Sequence, residues 1–150
     1  MCLRNTFLKG VLHEVGELKK GKISPEVFKK NTAQSSVKLT QELEQSDLLG
    51  KDVSFLIQGS MNLQKNNDPS LPDKSIKLVK KFSTQIIKSV VNFTETKLRN
   101  PKEVISNKQK KEIAKTIKLV LPEATPEIHK QLVLLEDSLK IERNLKELKK

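Results

Sequence analysis

Lysines at helical spacing are the residues of this sequence best placed to engage a partner. Lys77, Lys81 and Lys88 form one set, and Lys108, Lys111, Lys115 and Lys118 form another. Steps of three, four or seven residues bring side chains onto one face of a helix. A row of ammonium groups attracts carboxylates and phosphates by charge, without the planar fork that makes arginine selective.

The remaining residues fall short of other chemistries. A phosphate-cradling loop needs a glycine, four residues, then Gly-Lys-Ser/Thr. Gly50-Lys51 comes closest, but Gln45 and Asp52 occupy the positions that would complete it. His13 and Glu17 stand four apart and can share a helix face, yet two ligands do not hold a zinc ion, and His129 is distant in sequence. Cys2 is the single cysteine, which removes an internal disulfide and a multi-cysteine metal site. Glu42 and Glu44 are two apart and diverge on a helix. No residue set proposes a catalytic centre, a metal site or a cofactor, so a non-enzymatic role is expected.

The charge is concentrated. The 150 residues contain 29 Lys plus Arg and 18 Asp plus Glu, for a net charge of +11. Residues 1–64 contribute +2, residues 65–118 contribute +9, and residues 119–150 are neutral. At 100° per residue, Lys74, Lys77, Lys80, Lys81 and Lys88 occupy roughly a 120° arc, opposite most of Ile76, Val79, Phe82, Ile86, Val90 and Phe93. Lys108, Lys111, Lys115 and Lys118 fall within about 80° of each other, away from Ile113, Ile117 and Val120. If these two helices pack as an antiparallel pair, the stripes join into one basic surface.

Three readings of those stripes compete. A helix needs a polar side, and lysine is a good helix former, so a solvated face is one. Binding to an acidic protein, or to an anionic membrane surface, is the second, with charge steering the encounter and apolar contacts setting specificity. Non-specific nucleic-acid binding is the third. The chain has 26 Lys against 3 Arg, and neither Trp nor Tyr. Base readout favours arginine and base stacking favours exposed aromatics, so sequence-specific recognition is not expected.

The elements that must position these lysines are helices. Leu3, Phe7, Val11, Val15 and Leu18 step by three or four, and Gly21 follows as a stop. Ser24-Pro25-Glu26 combines a capping hydroxyl, a proline at the first helical position and an acid in the first turn. The helix it starts runs towards Gln45, with Val27, Phe28, Leu39 and Leu43 inward and a polar stretch at 31–36 that suits a bend. Ser46-Asp47 caps a third helix carrying Leu48, Leu49, Val53, Leu56, Ile57, Met61 and Leu63.

A loop is expected at 65–73, where two prolines, two asparagines and two aspartates gather. A long helix follows and ends at Asn100-Pro101. The next carries Val104, Ile105, Ile113, Ile117 and Val120 and ends at Pro122. Thr125-Pro126-Glu127 then starts a final helix through Ile128, Leu132, Leu135, Leu139, Leu145 and Leu148. Its 4-3-4 spacing resembles a coiled-coil seam, but Glu142 breaks the heptad, and docking into the core is the expected use. The similar starts SPEVFKK and TPEIHKQ reflect shared capping chemistry rather than duplication. The sequon Asn92-Phe93-Thr94 lies within helical spacing and reads as coincidence.

The predicted fold is all-α: an antiparallel bundle of five or six amphipathic helices forming a single helical domain over residues 1–150. No apolar run of 18 or more residues is present, so no transmembrane segment is expected. The N-terminus lacks a signal-like run, which places the chain in the cytoplasm or elsewhere inside the cell, unless a leader was trimmed or export bypasses signal peptides. The functional expectation is a protein–protein interaction module with a basic helical face and an unidentified, acidic protein partner. The alternative is non-specific binding of nucleic acid or an anionic lipid surface through the lysine stripes within 74–118.

Overall fold

The computed structural model describes residues 10, 13–46, 49–65, 72–100, 102 and 105–148, and the side chains of 35, 36 and 140–148 lie outside that set. Helix α1 covers 13–19. It is followed by α2 (Pro25–Glu44), α3 (Leu49–Gln64), α4 (Asp73–Arg99) and α5 (Asn107–Val120). A 3-10 turn at Leu121–Glu123 leads into α6 (Pro126–Leu148). The fold is an all-α bundle, and no strand occurs among the described residues.

Local chemistry accounts for most of these boundaries. Gly21 takes a positive φ of 72°, which ends α1. The Lys22 N–H then donates to Glu17 O at 3.0 Å and the Gly21 N–H to Leu18 O at 3.1 Å, closing a left-handed cap. Ser24 Oγ accepts from the Val27 N–H at 3.2 Å, with Pro25 opening α2. Helix α2 continues without interruption through its polar middle at 31–36. Within that stretch the buried Thr32 hydroxyl is satisfied by donating back to Phe28 O at 2.9 Å. Thr125 Oγ1 accepts from the Ile128 N–H at 3.4 Å and starts α6.

One boundary differs from expectation. Helix α5 begins at Asn107, capped by Ser106, whose Oγ accepts from the Gln109 N–H at 3.2 Å. Ile105 is buried from the connecting segment, ahead of the helix. Asp47 and Leu48, the loop at 66–71, Pro101, Val104, and the side chains of Glu142, Leu145 and Leu148 lie outside the described residues, as do Cys2, Leu3, Phe7 and Val11. Within the expected 65–73 loop, Lys65 is a turn after the end of α3 and Asp73 already opens α4.

The core is aliphatic, as a chain without Trp or Tyr requires. Leu56, Ile57, Ile86, Ile87, Ile113, Ile117, Leu132 and Leu135 are all fully buried. Phe28 meets Phe82 edge to face, with ring centroids 6.2 Å apart and an 83° angle between planes. Val27, expected inward, faces solvent beside the buried Phe28.

Helix α4 is the hub. It packs against α2, α3 and α6, while α5 packs against α3 and α6. Successive hairpins, α3–α4 and α5–α6, reverse direction as short connections require. Non-successive neighbours also run side by side. Glu26 at the start of α2 lies 3.5 Å from Lys74 at the start of α4, and Glu44 at the end of α2 lies 2.8 Å from Lys97 near the end of α4. Those two contacts make α2 and α4 codirectional.

Candidate interaction surface

The arrangement of helices decides where the lysine stripes go. Lys77, Lys81 and Lys88 are exposed on α4, and Lys108, Lys111, Lys115 and Lys118 are exposed on α5, as their spacing requires. Helices α4 and α5 do not pack as a pair, however, because α3 and α6 lie between them and contact both. In this four-helix ring α4 and α5 sit at opposite corners. The condition for one joined basic surface is therefore not met, and each stripe stands by itself.

The two stripes also differ in their surroundings. On α4, Lys74 pairs with Glu26, Lys88 with Glu127 of α6, and Lys97 with Glu44. Arg99 lies 3.7 Å from Glu95 on the same helix. Three of the seven basic side chains of α4 are thus paired with carboxylates of neighbouring helices, and Arg99 with one on α4 itself. Lys77 and Lys81 are the exposed remainder. On α5, none of Lys108, Lys111, Lys115 and Lys118 forms an ion pair among the described residues. Lys110 is not part of this stripe: the wheel places it beside Ile117 on the inner side of α5, and it is only 5% exposed there.

A shallow groove runs beside the α5 lysines. It has a volume of about 660 Å³ and lies between α3 and α5, bounded by Lys51, Phe55 and Gln58 on one side and Lys115, Lys118 and Leu119 on the other. A second concavity of about 380 Å³ continues it towards Lys108 and Lys111, and the two share Glu112 and Lys115. The groove carries large apolar groups in contact with solvent: Phe55 is 38% exposed and Leu119 67%. Ser54 lines it too, and its enclosed Oγ has no hydrogen-bond partner among the described residues.

Sequence reasoning missed Lys51, Phe55 and Leu119. The signal was present: each large apolar residue falls off the inward stripe of its helix. Phe55 sits outside the Val53-Leu56-Ile57 set, and Leu119 lies beside Lys118, away from Ile113, Ile117 and Val120. Single exposed apolar residues are ordinary, as Val37 and Leu134 show, but Phe55 and Leu119 come from two helices to line one groove.

Among the described residues, no three His, Cys, Asp or Glu side chains gather as metal ligands would. The exposed His13 Nε2 lies 3.4 Å from Oε1 of the partly buried Glu17, four residues on. Glu26 is a titratable group with a clear shift. Its carboxyl is held below its ordinary range, first by its own backbone N–H in the opening turn of α2 and then by the charge of Lys74. No helix is long and apolar enough to cross a membrane among the described residues. The sequence matches no protein-family model, and no similar curated protein or solved structure was found.

Proposed function

We propose that this protein is a non-enzymatic interaction module whose basic α5 face binds an acidic partner protein. The observation that carries this reading is the contrast between the two lysine stripes. Four of the seven basic side chains of α4 pair with carboxylates, whereas Lys108, Lys111, Lys115 and Lys118 project together without a carboxylate partner among the described residues. Four like charges on one face repel each other and favour an anionic partner. Exposed apolar groups beside them add contact area that charge alone cannot supply.

Nucleic acid is the competing partner. Phosphate backbones make little use of Phe55 and Leu119, and the stripe has no arginine to read bases. The test is a titration with poly-glutamate, duplex DNA and vesicles containing acidic lipid, each at low and moderate salt. Reversing the four α5 lysines to glutamate should abolish binding to the acidic polypeptide, and reversing Lys77 and Lys81 should leave most of it. DNA binding equal to or tighter than polypeptide binding at moderate salt would overturn the reading.

A further inference from the structure

We infer that the groove between α3 and α5 is the docking site for an acidic amphipathic helix about three turns long. This rests on the α5 face being the binding face and adds the form of the partner. Three observations carry it.

Length is the first. The first concavity lies between α3 and α5, the second is lined by α5 alone; they share Glu112 and Lys115 and together extend along α5 from Lys108 to Leu119. Eleven helical steps at 1.5 Å span about 16 Å, the length of a helix of about eleven residues. A ligand helix laid along α5 fills this trough from end to end.

Charge is the second. The trough is rimmed by Lys51 of α3 and by Lys108, Lys111, Lys115 and Lys118 of α5, against one carboxylate, Glu112. None of the five lysines is held by an ion pair among the described residues. Their ammonium groups are free to turn outward, and their methylene stems add apolar wall. A helix with glutamates or aspartates along the flank facing α5 meets four of them, and Lys51 stands on the opposite side.

The apolar contacts are the third. Phe55 and Leu119 flank the groove from facing helices, with Leu119 at 67% exposure. A stripe at i, i+3 or i+4, and i+7 on the ligand seats between them, as in other helix-in-groove recognition. This distinguishes the site from a membrane contact. A bilayer is met by apolar residues on a protruding surface, whereas these two line a concavity with lysines on both banks.

The test uses two synthetic peptides of about twelve residues with one composition, rich in Glu and Leu. In one, the leucines form a single helical stripe; in the other their order is scrambled. Binding to the full chain is measured by fluorescence anisotropy, and NMR shifts locate the site. The striped peptide should bind about tenfold tighter than the scrambled one, with shifts centred on Phe55, Lys115 and Leu119. Leu119→Ser and Phe55→Ser should each remove most of that preference, while Val37→Ser, an exposed apolar residue on α2, leaves it intact. Leu119 is mostly exposed, so its variant keeps the test valid should Phe55→Ser disturb folding.

Equal binding of both peptides, lost on reversal of the α5 lysines, overturns the groove proposal and leaves the basic-face reading standing. No binding of either peptide at low salt overturns both. Vesicles with acidic lipid that shift the groove resonances, where neither peptide does, overturn the proposal in favour of a lipid surface.

Discussion

A Cβ atom added to Gly50 would stand 2.7 Å from the Cβ of Gln109 and 2.8 Å from its Cα. The close approach of α3 to α5 therefore depends on Gly50 having no side chain. Glycine within a helix ordinarily gains stability on replacement by alanine, by about 1 kcal/mol. Here the obstructing atoms are backbone and Cβ, which cannot rotate away. Gly50→Ala should instead destabilise the fold by about 1–3 kcal/mol, the usual range for overpacking. Urea unfolding would show this as a lower midpoint at unchanged slope; a stabilised variant would mean that the helices do not meet this closely.

Lys97 ties the last turn of α4 to the last residue of α2. Its Nζ lies 2.8 Å from Glu44 Oε2 and 5.4 Å from the centre of the Phe93 ring, and its side chain is 15% exposed. Glu44 is half exposed, so water screens the pair and its coupling should reach at most about 1 kcal/mol. A double-mutant cycle of Lys97→Met with Glu44→Gln measures that coupling. Lys97→Met alone should cost little more, because the methionine retains the packing against Phe93.

Gln64 fastens the end of α3 to α4. Its Nε2 lies 2.8 Å from Lys80 O, 2.6 Å from Ser83 Oγ and 2.8 Å from Thr84 Oγ1. Ser83 and Thr84 also donate to Lys80 O, so these groups retain partners when the amide is removed. Gln64→Ala should cost about 1 kcal/mol, the net value of a satisfied hydrogen bond rather than that of a stranded group. Thermal unfolding monitored by circular dichroism is sufficient to measure it.

The pH dependence follows from Glu26. Its carboxyl titrates below its unfolded-state value, held there by its own backbone N–H and by Lys74. A depressed carboxylate contributes stability that is fully present above the unfolded pKa and is lost as pH falls through the folded pKa. Wild type should therefore be more stable than Glu26→Gln at neutral pH. The gap should narrow from about pH 5 downward and vanish in strong acid. A gap independent of pH would show that the charge of Glu26 is not what stabilises the start of α2.

Much of the fold was legible because helix starts are local. Ser24 and Thr125 each sit beside a proline, and both cap as their spacing indicates. Ser106 was overlooked because Val104 and Ile105 precede it and resemble an inward helical stripe, although Ile105 is buried ahead of the helix. Val27 misled for a related reason: α2 buries only a narrow stripe, Phe28, Thr32, Leu39 and Leu43, and Val27 falls outside it although it adjoins Phe28 in sequence. The lysine positions were readable on each helix separately. Their relation was not, because a helical wheel describes one axis and says nothing of which helix stands beside it. The α3–α5 groove needed that pairing before Lys51, Phe55 and Leu119 could be seen as one place.

The central position of α4 also sets an order of loss. With α2, α3 and α6 packed around it, its inner turns, from Phe82 to Val91, are reached by water only when several neighbours leave together. Helix ends and α1 can open alone. Amide hydrogens along the middle of α4 should therefore exchange with deuterium only as fast as the whole molecule unfolds, making this helix the slowest clock in the protein.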